Sequence, residues 1–349
     1  MRPIGQFALM GPENELRANR AAGGSAGEAE DDGADIAAIS ANPGPDEDAP
    51  RPQIRVQFFN PPARFDGCFS ALYRLTLDFE GATDPDQRPA PKIADYIQPG
   101  WAALRFHTGG LPSSQIAGMK LKGAHFTVNG PSSLPCWFEM GRTQMWGIGL
   151  FPLGWARFVA ADACDFTNHV FDGAAHPVFE RFDSLSPIVC NPAHEPEEQL
   201  DAIMAGMGDM MRPTRDDAKI IRVHRALIGG DHATVGELAD AGGISIRTLE
   251  RVCHRFFGFT PKLLLRRQRF MRSLRNFMLD QSSSRTGRWT EAMDAEYHDQ
   301  AQFTREFTAF MTMTPSAYAS LEHPVLSAFV EARARHRAAQ TQHSGIQTG

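Results

Sequence analysis

Thr234-Val-Gly-Glu-Leu-Ala-Asp-Ala-Gly-Gly-Ile-Ser-Ile-Arg-Thr-Leu-Glu-Arg-Val-Cys-His-Arg-Phe-Phe-Gly258 is the stretch whose reading decides the C-terminal fold. Thr234 with Glu237 three residues on forms a capping box, in which each side chain satisfies an orphan amide at the start of a helix. Leu238 and Ala239 give that short helix its apolar face, and Gly242-Gly243 supplies the positive φ that stops it and re-aims the chain. Ser245 is placed to cap a second helix, on which Leu249, Val252, Cys253 and Phe256 fall on one side at helical spacing. Ile246, Arg247, Glu250 and Arg251 then point outward. Two short helices joined by a glycine turn, the second with a basic outer face, predict a helix-turn-helix whose second helix enters a DNA major groove.

A second copy of the plan follows. Ala292-Met-Asp-Ala-Glu-Tyr-His-Asp-Gln-Ala-Gln-Phe-Thr-Arg-Glu-Phe307 places Asp299 as the cap and Gln300, Ala301, Gln302 and Arg305 on the outer face. It closes with Thr314-Pro-Ser-Ala-Tyr318, as Thr260-Pro261 closes the first copy. Between the copies, Pro261 to Leu279 is an unbroken run of helix formers with proline in the first turn. About 18 residues at 1.5 Å per residue give a rod of roughly 27 Å. Such a spacer can hold two recognition helices near the one-turn separation of successive major grooves, about 34 Å.

In Tyr297–Phe307 and Thr314–Tyr318 the chain resembles the bipartite DNA-binding domain of the AraC/XylS transcription regulators, over roughly residues 216–322. The resemblance implies base-contacting positions at Ile246, Arg247, Glu250 and Arg251, flanked by Ser245 and Thr248, and at Gln300, Ala301, Gln302 and Arg305 behind Asp299. Arginine donates bidentately to guanine, glutamine suits adenine, glutamate accepts from cytosine, and isoleucine touches a thymine methyl. Arg251 and Arg305 have a structural alternative, an ion pair within the domain. The second copy departs from the family where Glu296 and Thr312 replace glycines and Glu291 replaces an apolar residue. These departures imply a looser half that anchors backbone more than it reads bases.

The net charge of −6 is uneven. Residues 1–50 carry about seven more acidic than basic residues, and Ser245 to Arg288 about nine more basic than acidic ones. DNA responds to the local field of a face, not to the sum over the chain. The acidic, Ala-, Gly- and Pro-rich leader 1–50 is expected to be disordered, either as a solvated segment or as a competitor for the basic face.

Residues 51–193 read differently. Ile54–Phe59, Phe69–Leu77, Ala102–Phe106, Ala124–Val128, Cys136–Met140 and Met145–Phe151 are short aromatic or β-branched runs cut by Gly, Pro, Asp and Ser. They predict a mainly antiparallel sandwich or barrel, ending at Pro152 with a short helix over Leu153–Ala160. Asp95–Phe106, Thr127–Ser133 and Gly147–Phe158 look like the N-terminal region of one branch of the same regulators, which implies a sensing or dimerising domain. The expected architecture is thus multidomain: a β-rich sensor, then an all-α domain with two helix-turn-helix motifs joined by a long helix, each domain with its own core. Residues 194–215 are expected to be a helical connector whose stripe Leu200, Ile203, Met204, Met207 and Met211 packs on the first domain or forms a dimer seam. Asp216 or Asp217 is a candidate cap for the next helix, and 323–349 is expected to be a fraying tail.

Five scattered cysteines, Cys68, Cys136, Cys164, Cys190 and Cys253, argue against a disulfide framework or structural zinc and for a reducing cytoplasm. Neither a signal-peptide core nor a membrane span is apparent. His107, His125, His169 and His176 lack the close spacing of metal ligands, so neither a metal, a cofactor nor an enzyme is expected. Gly147 and Gly149 do not form a nucleotide loop, because Pro152 intervenes and no βαβ unit surrounds them. The expected function is sequence-specific regulation of transcription on double-stranded DNA, as a homodimer and under a small-molecule effector or dimerisation control. RNA polymerase is a further partner of that class. The alternative is an enzyme or scaffold domain fused to a DNA-binding module. Trp101, Trp137, Trp146 and Trp155 are either plain core or the wall of an effector pocket.

Overall fold

The computed structural model describes residues 51–80, 90–230, 232–283 and 300–346. The leader 1–50 and the start of the second copy, with Glu291, Glu296 and Asp299, lie outside the described residues.

The N-terminal part is built on two antiparallel sheets. One has the order β1 (Arg51–Phe58), β2 (Phe69–Glu80), β9 (Thr143–Leu150), β4 (Ala102–Gly109), β7 (Phe126–Asn129), β10 (Val170–Asp172). The other runs β3 (Ile93–Ile97), β8 (Cys136–Met140), β5 (Ser113–Ile116), β6 (Met119–Lys122). Leu75, Leu77, Phe79 and Met145 of the first sheet meet Ile93, Phe138 and Met140 of the second in one apolar cluster. The period-2 alternation in the sequence puts these side chains on the shared face. The strands β3, β5, β6 and β10 go beyond the runs expected from composition. β5 and β6 form a hairpin around Ala117-Gly118, both at positive φ, and such polar strands carry little apolar signal.

The other face of the larger sheet is covered by helices. Phe151 precedes α1 (Pro152–Phe158), whose Leu153, Trp155 and Phe158 are buried. In α2 (Pro196–Met210), Ile203, Met204 and Met207 are buried in the same cluster as Trp146 and Ile148 of β9, with Leu200 and Met211 packed at its border. The methionine stripe therefore packs on the sheet. Gln199, itself buried, accepts a 2.8 Å hydrogen bond from Trp146 Nε1.

The helical part follows as α3 (Asp217–Gly229), α4 (Val235–Gly242), α5 (Ile246–Val252), a π-helical turn Cys253–Phe257, α6 (Pro261–Ser283), α7 (Gln300–Met311), α8 (Pro315–Ala319) and α9 (Pro324–Ile346). Two expectations are corrected here. Neither Asp216 nor Asp217 caps α3 with its side chain; the Asp217 carboxylate instead accepts from Thr214 and from the Arg157 guanidinium at 2.9–3.0 Å. The expected fraying tail is α9, which lies on β1 and β3. Val325 and Phe329 join the cluster between the sheets, and Phe329 meets Tyr73 edge-on at 4.7 Å. Buried Asp95 on β3 fixes the start of α9, accepting 3.0 Å bonds from Val325 N and Leu326 N and pairing with His323 Nδ1 at 2.9 Å.

The two parts do not keep separate cores. Ile220, Val223 and Leu227 of α3, Leu249 and Val252 of α5 and Phe270 of α6 belong to one buried cluster with Trp155, Phe126 and Ile148. The helical layer thus completes the core of the sheet domain. Among the described residues, no helix is long and apolar enough to cross a membrane.

Candidate nucleic-acid interface

The first recognition unit forms by short-range bonds. Thr234 Oγ1 accepts from Glu237 N at 3.2 Å, while the Glu237 carboxylate accepts from Thr234 N and Ala233 N at 3.0 and 2.8 Å. These bonds to the ionised form hold the Glu237 carboxyl below its usual range. Of the two turn glycines only Gly243 takes positive φ, at +62°. Gly242 is closely fitted: a Cβ there would sit 3.1 Å from Val223 Cγ2. Ser245 Oγ accepts from Thr248 N at 3.3 Å and starts α5.

Burial then sorts α5 into two faces. Leu249, Val252 and Cys253 are fully buried and Phe256 nearly so. Ser245, Ile246, Arg247, Glu250 and Arg251 are exposed, and Thr248 is half-buried beside its cap. Ile246, at 50 % exposure, is the large apolar side chain of this outer face. Arg251 stands 3.8 Å from Asp216, a loose pair that leaves its guanidinium exposed. Asp216 also takes Lys219 at 2.6 Å and Arg255 at 3.9 Å. Lys219 is the first cause of the lowered Asp216 pKa.

The second unit repeats this division over the described part. Phe303, Phe307, Phe310 and Met311 of α7 are fully buried, with Phe310 stacked on Phe270 of α6 at 4.6 Å. Gln300, Ala301 and Arg305 are exposed and Gln302 is half-buried. Thr312, which stands where the resemblance implies glycine, has φ +57°. Thr314 Oγ1 caps α8 by accepting from Ala317 N at 3.1 Å.

The spacer α6 is longer than expected, 23 residues, or about 34 Å. The Arg266 side chain is hydrogen-bonded to Glu306 of α7, which ties the spacer to the second unit. Not every basic side chain of α6 faces outward. Arg267 is turned wholly inward, its Cζ 4.4 Å from the Trp101 ring centroid and 5.5 Å from that of Phe259. None of its three guanidinium nitrogens has a hydrogen-bond partner among the described residues, and burial pushes its pKa well below the ordinary value.

Residues 238–320 match the family described as "Helix-turn-helix domain". The C-terminal part of the chain is an AraC-type helix-turn-helix domain. No curated protein matches the chain. Among solved structures it is similar to ToxT from Vibrio cholerae, at 10% identity over 66% of this chain and 97% of that one, with a TM-score of 0.35. ToxT bound to (E)-4-(8-methylnaphthalen-1-yl)but-3-enoic acid is 8% identical over 77% of this chain and 98% of that one, with a TM-score of 0.36. The AraC-like transcriptional activator CuxR is 12% identical over 69% and 91%, with a TM-score of 0.24. These likenesses are distant, and no residue role is carried over from them.

The AraC-type domain is docked on the sheet domain by ion pairs, ring contacts and a hydrogen bond. Arg157 of α1 pairs with Asp217 at 2.9 Å, and Arg255 of the π turn pairs with Asp162 at 3.0 Å. Trp101, at the start of β4, meets His224 edge-on at 5.5 Å and Phe257 at 5.9 Å, above Arg267. At the far end Gln98 donates to the Tyr318 hydroxyl at 3.3 Å. Sequence reasoning missed this junction because its members lie 60 to 220 positions apart. The tryptophans divide accordingly: Trp146 and Trp155 are core, whereas Trp101 belongs to the junction.

The four histidines weighed for catalysis are scattered in role. His107 is buried on β4 and contacts Thr127, with its pKa pushed down to about 3 by burial. His125 pairs with Asp183 at 2.9 Å, and His169 and His176 pack around Phe171. Among the described residues no three His, Cys, Asp or Glu side chains gather as a metal site.

Proposed function

We propose that this protein is a sequence-specific DNA-binding transcription regulator that reads two adjacent major grooves, under the control of its N-terminal domain. The observation that carries this reading is the exposed strip Ile246, Arg247, Glu250, Arg251 on a helix whose opposite side is completely buried. Arg247 and Glu250 can reach base edges; Ser245 and Thr248 suit the flanking backbone. In the second unit Gln300, Ala301, Gln302 and Arg305 take the corresponding places, behind Asp299. An α6 of about 34 Å matches the one-turn spacing of consecutive grooves.

Control follows from the shared core. The sheet domain and α3 to α6 are packed as one body, so a ligand or a second copy that changes the packing at Trp101 changes the energy of the helix-turn-helix domain. The partners of this reading are double-stranded DNA, a second copy of the chain, an effector acting on the N-terminal domain, and RNA polymerase.

Genomic footprinting of the tagged full chain tests the reading and is expected to yield a preferred site with two parts one helical turn apart. On that site Arg247→Ala should cost about 1–3 kcal/mol and relax the choice at one base pair, and Gln302→Ala should cost less. Binding without site preference, or an equal loss for both variants at every position, overturns it.

A further inference from the structure

A cavity of about 380 Å³ opens on the helix-turn-helix domain between the α3–α4 connection and α6. Lys262, Arg266, Arg269 and Arg272 line it at three- and four-residue spacing, which sets them along one strip of the helix. Lys262 is exposed in the first turn of α6 and forms no ion pair with any described residue. Gln268 is 5 % exposed at the cavity wall, and its amide oxygen has no hydrogen-bond partner among the described residues. Leu227, Val235 and Leu265 form an apolar floor.

The place of this cavity selects its ligand. Thr234 and Val235, at the start of the eight-residue α4, form one wall. The first helix of a helix-turn-helix crosses the DNA backbone, and phosphates are favoured at helix N-termini. At the opposite side Arg266 is bound to Glu306 of the second unit, so the cationic strip runs from one recognition unit to the other. A duplex read in two consecutive grooves must carry its backbone past this strip.

We propose that the cavity is a phosphate cradle that grips the DNA backbone between the two half-sites, with Lys262 as its outer anchor and Arg266, Arg269, Arg272 and Gln268 as its wall. The inference rests on the two-groove reading above. Its chemistry is sequence-independent: the cradle fixes register and adds affinity, and carries no base preference.

The test uses the full chain, a duplex with the footprinted site and a second duplex with that site scrambled. Lys262→Gln, at an exposed position, should lower the slope of log affinity against log salt by about 1 on both duplexes. It should weaken binding roughly fivefold at 0.15 M salt on both, which is what a slope change of 0.9 gives relative to 1 M. Arg335→Gln, an exposed cation on α9 paired with exposed Glu331, should leave the slope unchanged. If wild type prefers its site and Lys262→Gln leaves the slope unaltered, the cradle is overturned while the two-groove reading stands. A loss confined to the intact site likewise overturns it, because that marks a base contact. Inorganic pyrophosphate that binds wild type without DNA, and not Lys262→Gln, with an unaltered slope, would assign the site to a soluble phosphate ester in place of the backbone. Wild-type protein that does not distinguish the two duplexes is instead the failure of the two-groove reading.

Discussion

Asp95→Ala separates the docked C-terminal helix from the rest of the fold. The Asp95 side chain is fully buried and serves the first two amides of α9, at 3.0 Å each, together with His323 at 2.9 Å and its own neighbour Tyr96 N at 2.7 Å. Losing a helix cap costs about 0.5–2 kcal/mol, and leaving buried donors unsatisfied costs about 1–3 kcal/mol. The terms overlap, since the amides are the same groups, so the expected loss is about 2–4 kcal/mol. At roughly 2–4 °C per kcal/mol for a chain of this size, the midpoint of thermal unfolding should fall by about 4–16 °C. Asp95→Asn keeps one acceptor and should lose about half as much. Circular dichroism gives the midpoint, and amide exchange locates the loss: protection should fall over 324–340 first. A midpoint within 1 °C of wild type, or exchange in α9 unchanged, would refute the claim that β3 holds this helix in place.

Two further outcomes follow from buried groups. His107 and His224 have pKa values pushed down to about 3 by burial, against 6.5 in the unfolded chain. Below pH 6.5 the unfolded chain takes up protons that the folded chain refuses, so stability should fall toward pH 3 by up to about 1.4 kcal/mol per pH unit for each histidine. Urea unfolding between pH 7.5 and 5 reads this slope, and His224→Gln should flatten it; an identical slope in the variant would remove His224 from the account. At Thr312, whose φ of +57° suits glycine, Thr312→Gly should gain up to about 1 kcal/mol, offset in part by unfolded-state entropy, whereas Thr312→Ala should gain nothing. Equal midpoints for the glycine and alanine variants would contradict backbone strain there.

The amino-acid order by itself determined what depends on neighbours within one helical turn. Thr234 and Glu237 cap each other whatever surrounds them, Ser245 and Thr314 start their helices, and the apolar period divides α5 and α7 into a buried side and a side for DNA. Most of the candidate site was therefore legible before any fold was known. Tertiary structure alone decided which charges stay on the surface and which elements meet. Arg267 reads as one more cation of the spacer, yet the approach of Trp101 from the sheet domain buries it completely. Pro324 to Ile346 reads as a polar tail, yet Asp95, some 230 positions earlier, anchors its start. The physical reason is the range of the interaction: capping and periodicity act within about four residues, whereas a buried charge or a docked helix depends on partners that only the closed core brings together.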